Sequence, residues 1–176
     1  ANTARVGFEG SEMFIAVKKP GPEFFVYRTY DEAGEMKIVK LAGGGGVDPD
    51  MNGSNAHNCQ FSRIDDIAVD SVGRVFIADN LRQVVRRLAG VNTTTNPFIT
   101  VAGVNTLNGG PSVDDPFDTN ATGVRIGAVS LAIGYDPTQI PPDHLLIAGS
   151  TPNTSESIRK VVQPNGVNGK ITTMVG

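Results

Sequence analysis

The sequence predicts an all-β protein that repeats one four-stranded antiparallel unit three times. Two apolar residues followed by Ile-Ala recur at Ile15, Ile77 and Ile147, and each copy closes with a short apolar run and Gly. No segment combines a sustained helical period with helix caps. Because such a unit buries its faces only against its neighbours, the repeat predicts stacked modules that share a core.

The second copy shows the four strands most clearly. Residues 64–69 alternate apolar with polar side chains and stop at the turn composition from Asp70 to Gly73. Residues 75–78 form a short apolar run typical of a strand covered on both faces, and 84–88 and 98–102 complete the unit. The other copies fit the same scheme, with strands predicted at 5–8, 13–17, 24–29, 36–41, 128–133, 145–148, 158–162 and 171–175.

Four-stranded antiparallel sheets joined by tight turns are the blades of a β-propeller. Residues 1–176 are therefore predicted to form a single partial β-propeller with blades at 4–43, 63–103 and 125–176. Linkers rich in Gly, Asn and Asp occupy 44–62 and 104–124. Since propellers have about four to eight blades, we expect three further blades, from a second copy or from the rest of a longer chain, to complete a six-bladed ring.

Several residues are expected to serve the fold. Gly43, Gly103 and Gly176 follow the last strand of each blade, where the backbone turns sharply and favours positive φ. Asp79 follows a buried strand, and its carboxylate is expected to accept hydrogen bonds from amides of its own turn.

The sequence motif of the blades resembles that of the NHL repeat family. The motif reads Ile67-Ala68-Val69-Asp70, Gly73 and Val75-Phe76-Ile77-Ala78-Asp79 in blade two. In blade three it ends with Ile158-Arg159-Lys160-Val161 and Ile171-Thr172-Thr173-Met174-Val175-Gly176. The resemblance implies a propeller that serves as a rigid, non-catalytic platform for a protein, peptide or glycan partner. Similar six-bladed propellers include metal-dependent lyases and lactonase-like hydrolases, so an enzyme whose catalytic groups lie mostly outside this chain is the alternative.

The amino-acid composition limits the classes of partner that the chain is expected to bind. A formal net charge of −3, with 19% charged residues, lacks the basic excess of a nucleic-acid-binding surface. No apolar run reaches the length of about 18 residues that a membrane-spanning helix needs. For the binding or scaffold module that the resemblance implies, this composition favours a protein, peptide or glycan partner, with no nucleic acid or membrane insertion expected. No catalytic residue is predicted.

The candidate binding residues are polar side chains at the face where first strands begin. They are Arg63, Asp65 and Asp66 in blade two and Arg125 in blade three. For the enzyme alternative, Asp65, Asp66 and Tyr135 are the available axial ligands.

A second candidate is the arginine cluster of Arg82, Arg86 and Arg87. Arg86 and Arg87 are expected on opposite faces of one strand, so at most one of them joins Arg82 on a single surface. The cluster is interpreted either as side chains that are solvated or paired with neighbouring acids or, more sharply, as a contact for an anion or an acidic peptide through Arg82.

No metal or other cofactor is predicted, with calcium kept as an alternative. Asp48-Pro49-Asp50-Met51-Asn52-Gly53 matches the opening of a calcium loop, but Cys59 occupies the twelfth position, where a bidentate Glu belongs. His57 and His144 lack zinc-ligand spacing and are interpreted as solvated loop side chains.

Four Asn-x-Ser/Thr sequons indicate a secreted or cell-surface protein. Asn52, Asn92, Asn120 and Asn153 are the candidate acceptors, and all fall in predicted loops. The lone Cys59 forms no internal disulfide, which fits a reducing compartment or a partner cysteine elsewhere.

Overall fold

The computed structural model describes residues 4–9, 12–21, 23–46, 55–88, 97–104, 119–120, 124, 126–135, 137–138, 143–151, 154–162 and 169–175. Within these ranges the chain forms β-strands, with two single-turn 3₁₀ helices at Ala56–Asn58 and Asn80–Arg82 and no α-helix. None of these described segments contains a helix long and apolar enough to cross a membrane. The all-β prediction is confirmed.

The strands form three antiparallel sheets. Sheet 1 contains β1 (Ala4–Glu9), β2 (Glu12–Lys18), β3 (Phe24–Glu32) and β4 (Glu35–Gly43). Sheet 2 contains β5 (Ile64–Val69), β6 (Val75–Asp79), β7 (Val84–Leu88) and β8 (Phe98–Gly103). Sheet 3 contains β9 (Thr119–Asn120), β10 (Gly127–Tyr135), β11 (Asp143–Thr151), β12 (Thr154–Val162) and β13 (Lys170–Val175), in the spatial order β10-β11-β12-β13-β9.

Every strand predicted from the sequence lies within an observed strand, but β9 was not predicted. This two-residue strand lies in the segment interpreted as the second linker and pairs with Lys170 and Ile171 at the edge of sheet 3. Asn120 therefore lies in a strand and not in a loop, which corrects its placement. The pairing depends on residues about fifty positions later in the chain, so no local pattern indicates it.

Two apolar core layers hold the sheets face to face, and sheet 2 contributes to both. Val75 and Ile77 pack in the first layer with Phe14 and Val26 of sheet 1. Phe76 and Ala78 pack in the second layer with residues of sheet 3. Successive side chains of a strand point to opposite faces, so β6 is covered on both faces, as predicted. The second-layer residues from sheet 3 are Leu131, Leu145, Ile147, Val161 and Ile171.

The first strands of the sheets lie side by side, since β5 contacts both β1 and β10. Gly7 of β1 faces β5 so closely that an added Cβ would lie 3.0 Å from Val69 Cγ2. Asp66 of β5 accepts hydrogen bonds from Leu131 N at 2.8 Å and Ser130 Oγ at 2.9 Å, both on β10. We call the end at which β1, β5 and β10 begin the entry end of the sheets.

Glycine is required at the end of the last strand of the first two sheets. Gly43 and Gly103 have φ of 93° and 92°. A Cβ there would lie 2.0 Å from Phe24 O and 2.1 Å from Gln83 O, respectively. The predicted role of these glycines is confirmed, whereas Gly176 lies outside the described residues.

Candidate functional site

Three side chains form a hydrogen-bonded group at the entry end of sheet 2. Arg63 Nε donates to Asp65 Oδ1 at 2.6 Å, and Asn80 Nδ2 donates to Asp65 Oδ2. Asp65 lies at a bulge of β5, between paired residues Ile64 and Asp66. The Asp65 side chain is buried, whereas Arg63 is 60% exposed. Asp65 thus fixes the guanidinium of Arg63 where it can meet a ligand from solvent.

Asp79 lies directly beneath this group and is fully buried. Its Oδ1 accepts a hydrogen bond from Arg63 N at 3.1 Å, and the Ser62 amide also donates to the carboxylate. Burial raises the pKa of Asp79 to about 6, against the opposing effect of these amides and of Arg86 and Arg82. The carboxylate of Asp79 was expected to accept hydrogen bonds from the amides of its own turn. It instead accepts a hydrogen bond from the amide of Arg63, just before β5, because the ladder places Ile64 opposite Asp79.

The arginine cluster is buried, so the interpretation of its side chains as solvated was wrong, whereas the alternative, pairing with a neighbouring acid, is confirmed for Arg82. Arg86 is 0% exposed and donates from Nη1 to Thr100 Oγ1 at 3.2 Å. Arg82 Nε lies 3.4 Å from Asp79 Oδ2, so Arg82 pairs with a buried acid at this end. The physical reason is that β7 lies between β6 and β8 in a sheet covered on both faces.

Arg87 belongs to a different environment from Arg86. It stands opposite Phe76 in the ladder, whereas Arg86 stands opposite Ile77. Burial lowers the pKa of Arg87, as does nearby Arg74, while Asp70 opposes the shift. The predicted division of Arg86 and Arg87 between two faces agrees with these positions.

Of the predicted binding residues, the structure brings together Arg63, Asp65 and Arg82 at the entry end of sheet 2. Asp66 instead joins sheet 2 to sheet 3 through its bonds to β10. Tyr135 is the last residue of β10, whereas Asp65 and Asp66 lie near the start of β5. The remaining candidates Arg125, Asn52, Asn92 and Asn153 lie outside the described residues.

The same end of sheet 1 adds exposed cations. Lys18 follows Val17, which pairs with Ala4 at the start of β1, so Lys18 and Lys19 lie at the entry end. Lys19 Nζ lies 4.2 Å from the centroid of the Phe25 ring. This contact holds the ammonium group over an aromatic face.

In the part of the chain that the structure describes, no three His, Cys, Asp or Glu side chains are grouped to hold a metal ion. The stretch from Asp48 to Gly53 lies outside that part. His144 is on β11 and not in a loop, which corrects its interpretation, and His57 is half-buried in the first 3₁₀ turn. Cys59 is buried in the first core layer and donates from Sγ to Asn55 O at 3.2 Å, so a disulfide to another chain would require this layer to open.

Sequence reasoning missed a buried arginine that recurs in sheets 2 and 3. Arg86 stands opposite Ile77 and Thr100, and Arg159 stands opposite Ile147 and Thr173. Both arginines are buried. The signal was present in the repeat, because each arginine is the second residue of an apolar-Arg-basic-apolar strand at the same place in its copy.

The chain matches no known protein-family model, and no curated protein matches it.

Proposed function

We propose that the chain is a non-catalytic binding module of the NHL-like β-propeller type, which presents the entry end of its sheets to a protein, peptide or glycan partner. The observation that carries the proposal is the exposed guanidinium of Arg63, which is held by buried Asp65. With Lys18 and Lys19 nearby on sheet 1, the surface favours a partner that carries carboxylates.

The rigidity of sheet 2 supports this function. Its strands are covered on both faces by core layers, so the entry-end side chains are fixed before a partner arrives. A surface that is ordered in advance loses less conformational entropy on binding. The Arg63 guanidinium is largely exposed, so its ion pair with Asp65 contributes little to stability and Arg63 can be changed with little effect on the fold.

A charge reversal at Arg63 tests the proposal. We expect Arg63→Glu to weaken binding to Asp/Glu-rich peptides about tenfold or more, because it replaces a charge-assisted hydrogen bond by repulsion. The measurement is fluorescence anisotropy with peptides selected from an immobilised array on the wild-type protein. Lys37→Glu is the matched control, since Lys37 is partly exposed near the β3–β4 turn, away from the entry end. Equal losses in both variants, or none, would contradict the proposed face.

We further propose that three blades of a second copy complete a six-bladed ring. Ile15 of sheet 1 holds the repeat position at which Ile77 and Ile147 pack against the preceding sheet. Leu146 and Ala148 of sheet 3 hold the positions at which Phe76 and Ala78 pack against the following sheet.

The outer faces of sheets 1 and 3 therefore carry the same residue pattern as the faces that pack against each other between the three sheets. Both faces also carry exposed apolar side chains, such as Ile38 at 66% and Met174 at 56%. Exposed apolar surface of this kind typically marks an interaction site.

The ring predicts a molar mass near twice the 18.5 kDa of the chain, measured by light scattering over a concentration series. Ile15→Glu is expected to reduce the mass to that of one chain, because it buries an unpaired charge between sheets. Val72→Glu, at an exposed turn position between β5 and β6, is the control and should leave the mass unchanged. A wild-type mass of one chain at all concentrations would contradict completion by a second copy.

A further inference from the structure

Strands β5–β7 of sheet 2 match β10–β12 of sheet 3 residue by residue at the pairs that surround Ile77 and Ile147. Ile77 stands opposite Arg86, and Ile147 stands opposite Arg159. The first strand of each sheet has a register shift at the same place, between Ile64 and Asp66 in β5 and between Ala128 and Ser130 in β10. The residues near these pairs in one sheet therefore have defined counterparts in the other.

In sheet 2 this framework surrounds a carboxylate. Asp79, two residues after Ile77, receives hydrogen bonds from the amides of Ser62 and Arg63 and the electrostatic attraction of Arg86. Backbone amides and a guanidinium together form a set of donors suited to a carboxylate.

In sheet 3 the same framework has no acidic side chain at this position. Gly149 is the counterpart of Asp79, while Ile126 and Gly127 are the counterparts of Ser62 and Arg63. Ser157 is the counterpart of Val84, since Gly149 pairs with Ser157 as Asp79 pairs with Val84.

A cavity lies at this place. It is a small pocket, partly enclosed and partly open to solvent. Its lining residues are Ile126, Gly127, Ile147, Gly149, Ser157 and Arg159. Arg159 is only 5% exposed, so its charge is held in a low-dielectric environment where attraction to an anion is strong.

We propose that this cavity is a carboxylate-binding site, in which a ligand carboxylate occupies the place that the Asp79 side chain fills in sheet 2. Arg159 supplies the charge, the Ile126 and Gly127 amides take the part of the Ser62 and Arg63 amides, and the Ser157 hydroxyl adds a donor that sheet 2 lacks. The site lies at the entry end of sheet 3, beside the proposed partner-binding face. It is argued from the comparison of the two sheets and does not depend on Arg63.

The test is thermal unfolding of the whole chain in sodium acetate against sodium chloride at equal ionic strength. When acetate exceeds its Kd about tenfold, we expect the Tm to rise by about 3 °C more than in chloride. Gly149→Asp is expected to raise the Tm without acetate and to abolish the acetate response, because it supplies the carboxylate internally. Arg159→Gln should also abolish the response, and Val72→Glu should retain it.

Two short peptides separate the sources of the carboxylate. One has a central Asp and the other an Asn, and both have blocked ends. A response to acetate and to the Asp peptide supports a site that admits a protein side chain, and a response to acetate alone supports a site for small carboxylic acids. An equal response to chloride and acetate with no effect of the Asp peptide, or an acetate response that survives in Gly149→Asp, overturns the proposal. Because Gly149→Asp keeps Arg159, this result holds even where Arg159→Gln fails to fold.

Discussion

Replacing Arg86 by Ala is expected to lower the free energy of unfolding by about 3–5 kcal/mol at pH 7. Arg86 is completely buried and attracts the buried carboxylate of Asp79. Its removal leaves Asp79 with less compensation for burial, leaves Thr100 Oγ1 without this donor, and opens a cavity in the interior of sheet 2. Arg63→Ala is the control, since Arg63 is exposed and its loss is expected to cost about 1 kcal/mol or less.

The loss of unfolding free energy caused by Arg86→Ala is expected to be smaller at pH 5 than at pH 7. Burial raises the pKa of folded Asp79 from 3.8 to about 6, so the folded protein binds a proton that the unfolded chain releases in this range. The protonated carboxyl is the better-tolerated form, so stability from this group is fully present below pH 3.8 and is progressively lost as the pH rises through about 6. Loss of Arg86 raises that pKa further, so the variant gains more on acidification than the wild type.

Urea unfolding at both pH values measures these deficits. The difference between wild type and Arg86→Ala should decrease by about 1 kcal/mol or more at the lower pH. A deficit at pH 7 no larger than that of Arg63→Ala would show that Arg86 does not stabilise the site. A loss of unfolding free energy that is equal at the two pH values would show that Arg86 does not act through the charge of Asp79.

Replacing Phe76 by Ala is expected to cost about 3–5 kcal/mol of the free energy of unfolding. Phe76 is fully buried on β6 and packs in the second core layer with Val85, Val101 and Leu145. Its truncation removes apolar area from the contact between sheets 2 and 3 and leaves a cavity that close-packed strands cannot fill completely.

Tyr135→Ala is the matched aromatic control for Phe76→Ala. Tyr135 is 67% exposed, and its truncation should change the free energy of unfolding by about 0.5 kcal/mol or less. Urea unfolding followed by circular dichroism measures both variants. Similar losses for the two would mean that Phe76 does not pack between the sheets.

Local patterns in the sequence were enough to locate the strands and their faces. The alternation of β5, the apolar run of β6 and the glycines at 43 and 103 each reflect a requirement of the residues themselves or of the next few along the chain. The repeat then indicated that neighbouring units pack together, and for Arg63 and Asp65 it also indicated the end of the sheet at which they lie. For these features the physical cause lies within one blade.

Long-range contacts controlled the rest. Arg86 looks like a surface residue in the sequence, yet it is buried because a second sheet covers its face and a carboxylate from the neighbouring strand compensates its charge. Asp66 contacts β10, and β9 pairs with β13, through residues far away in the chain. Burial, pairing across a ladder and the cavity beside Gly149 depend on which residues meet after folding, and a side chain's own type does not specify its neighbours.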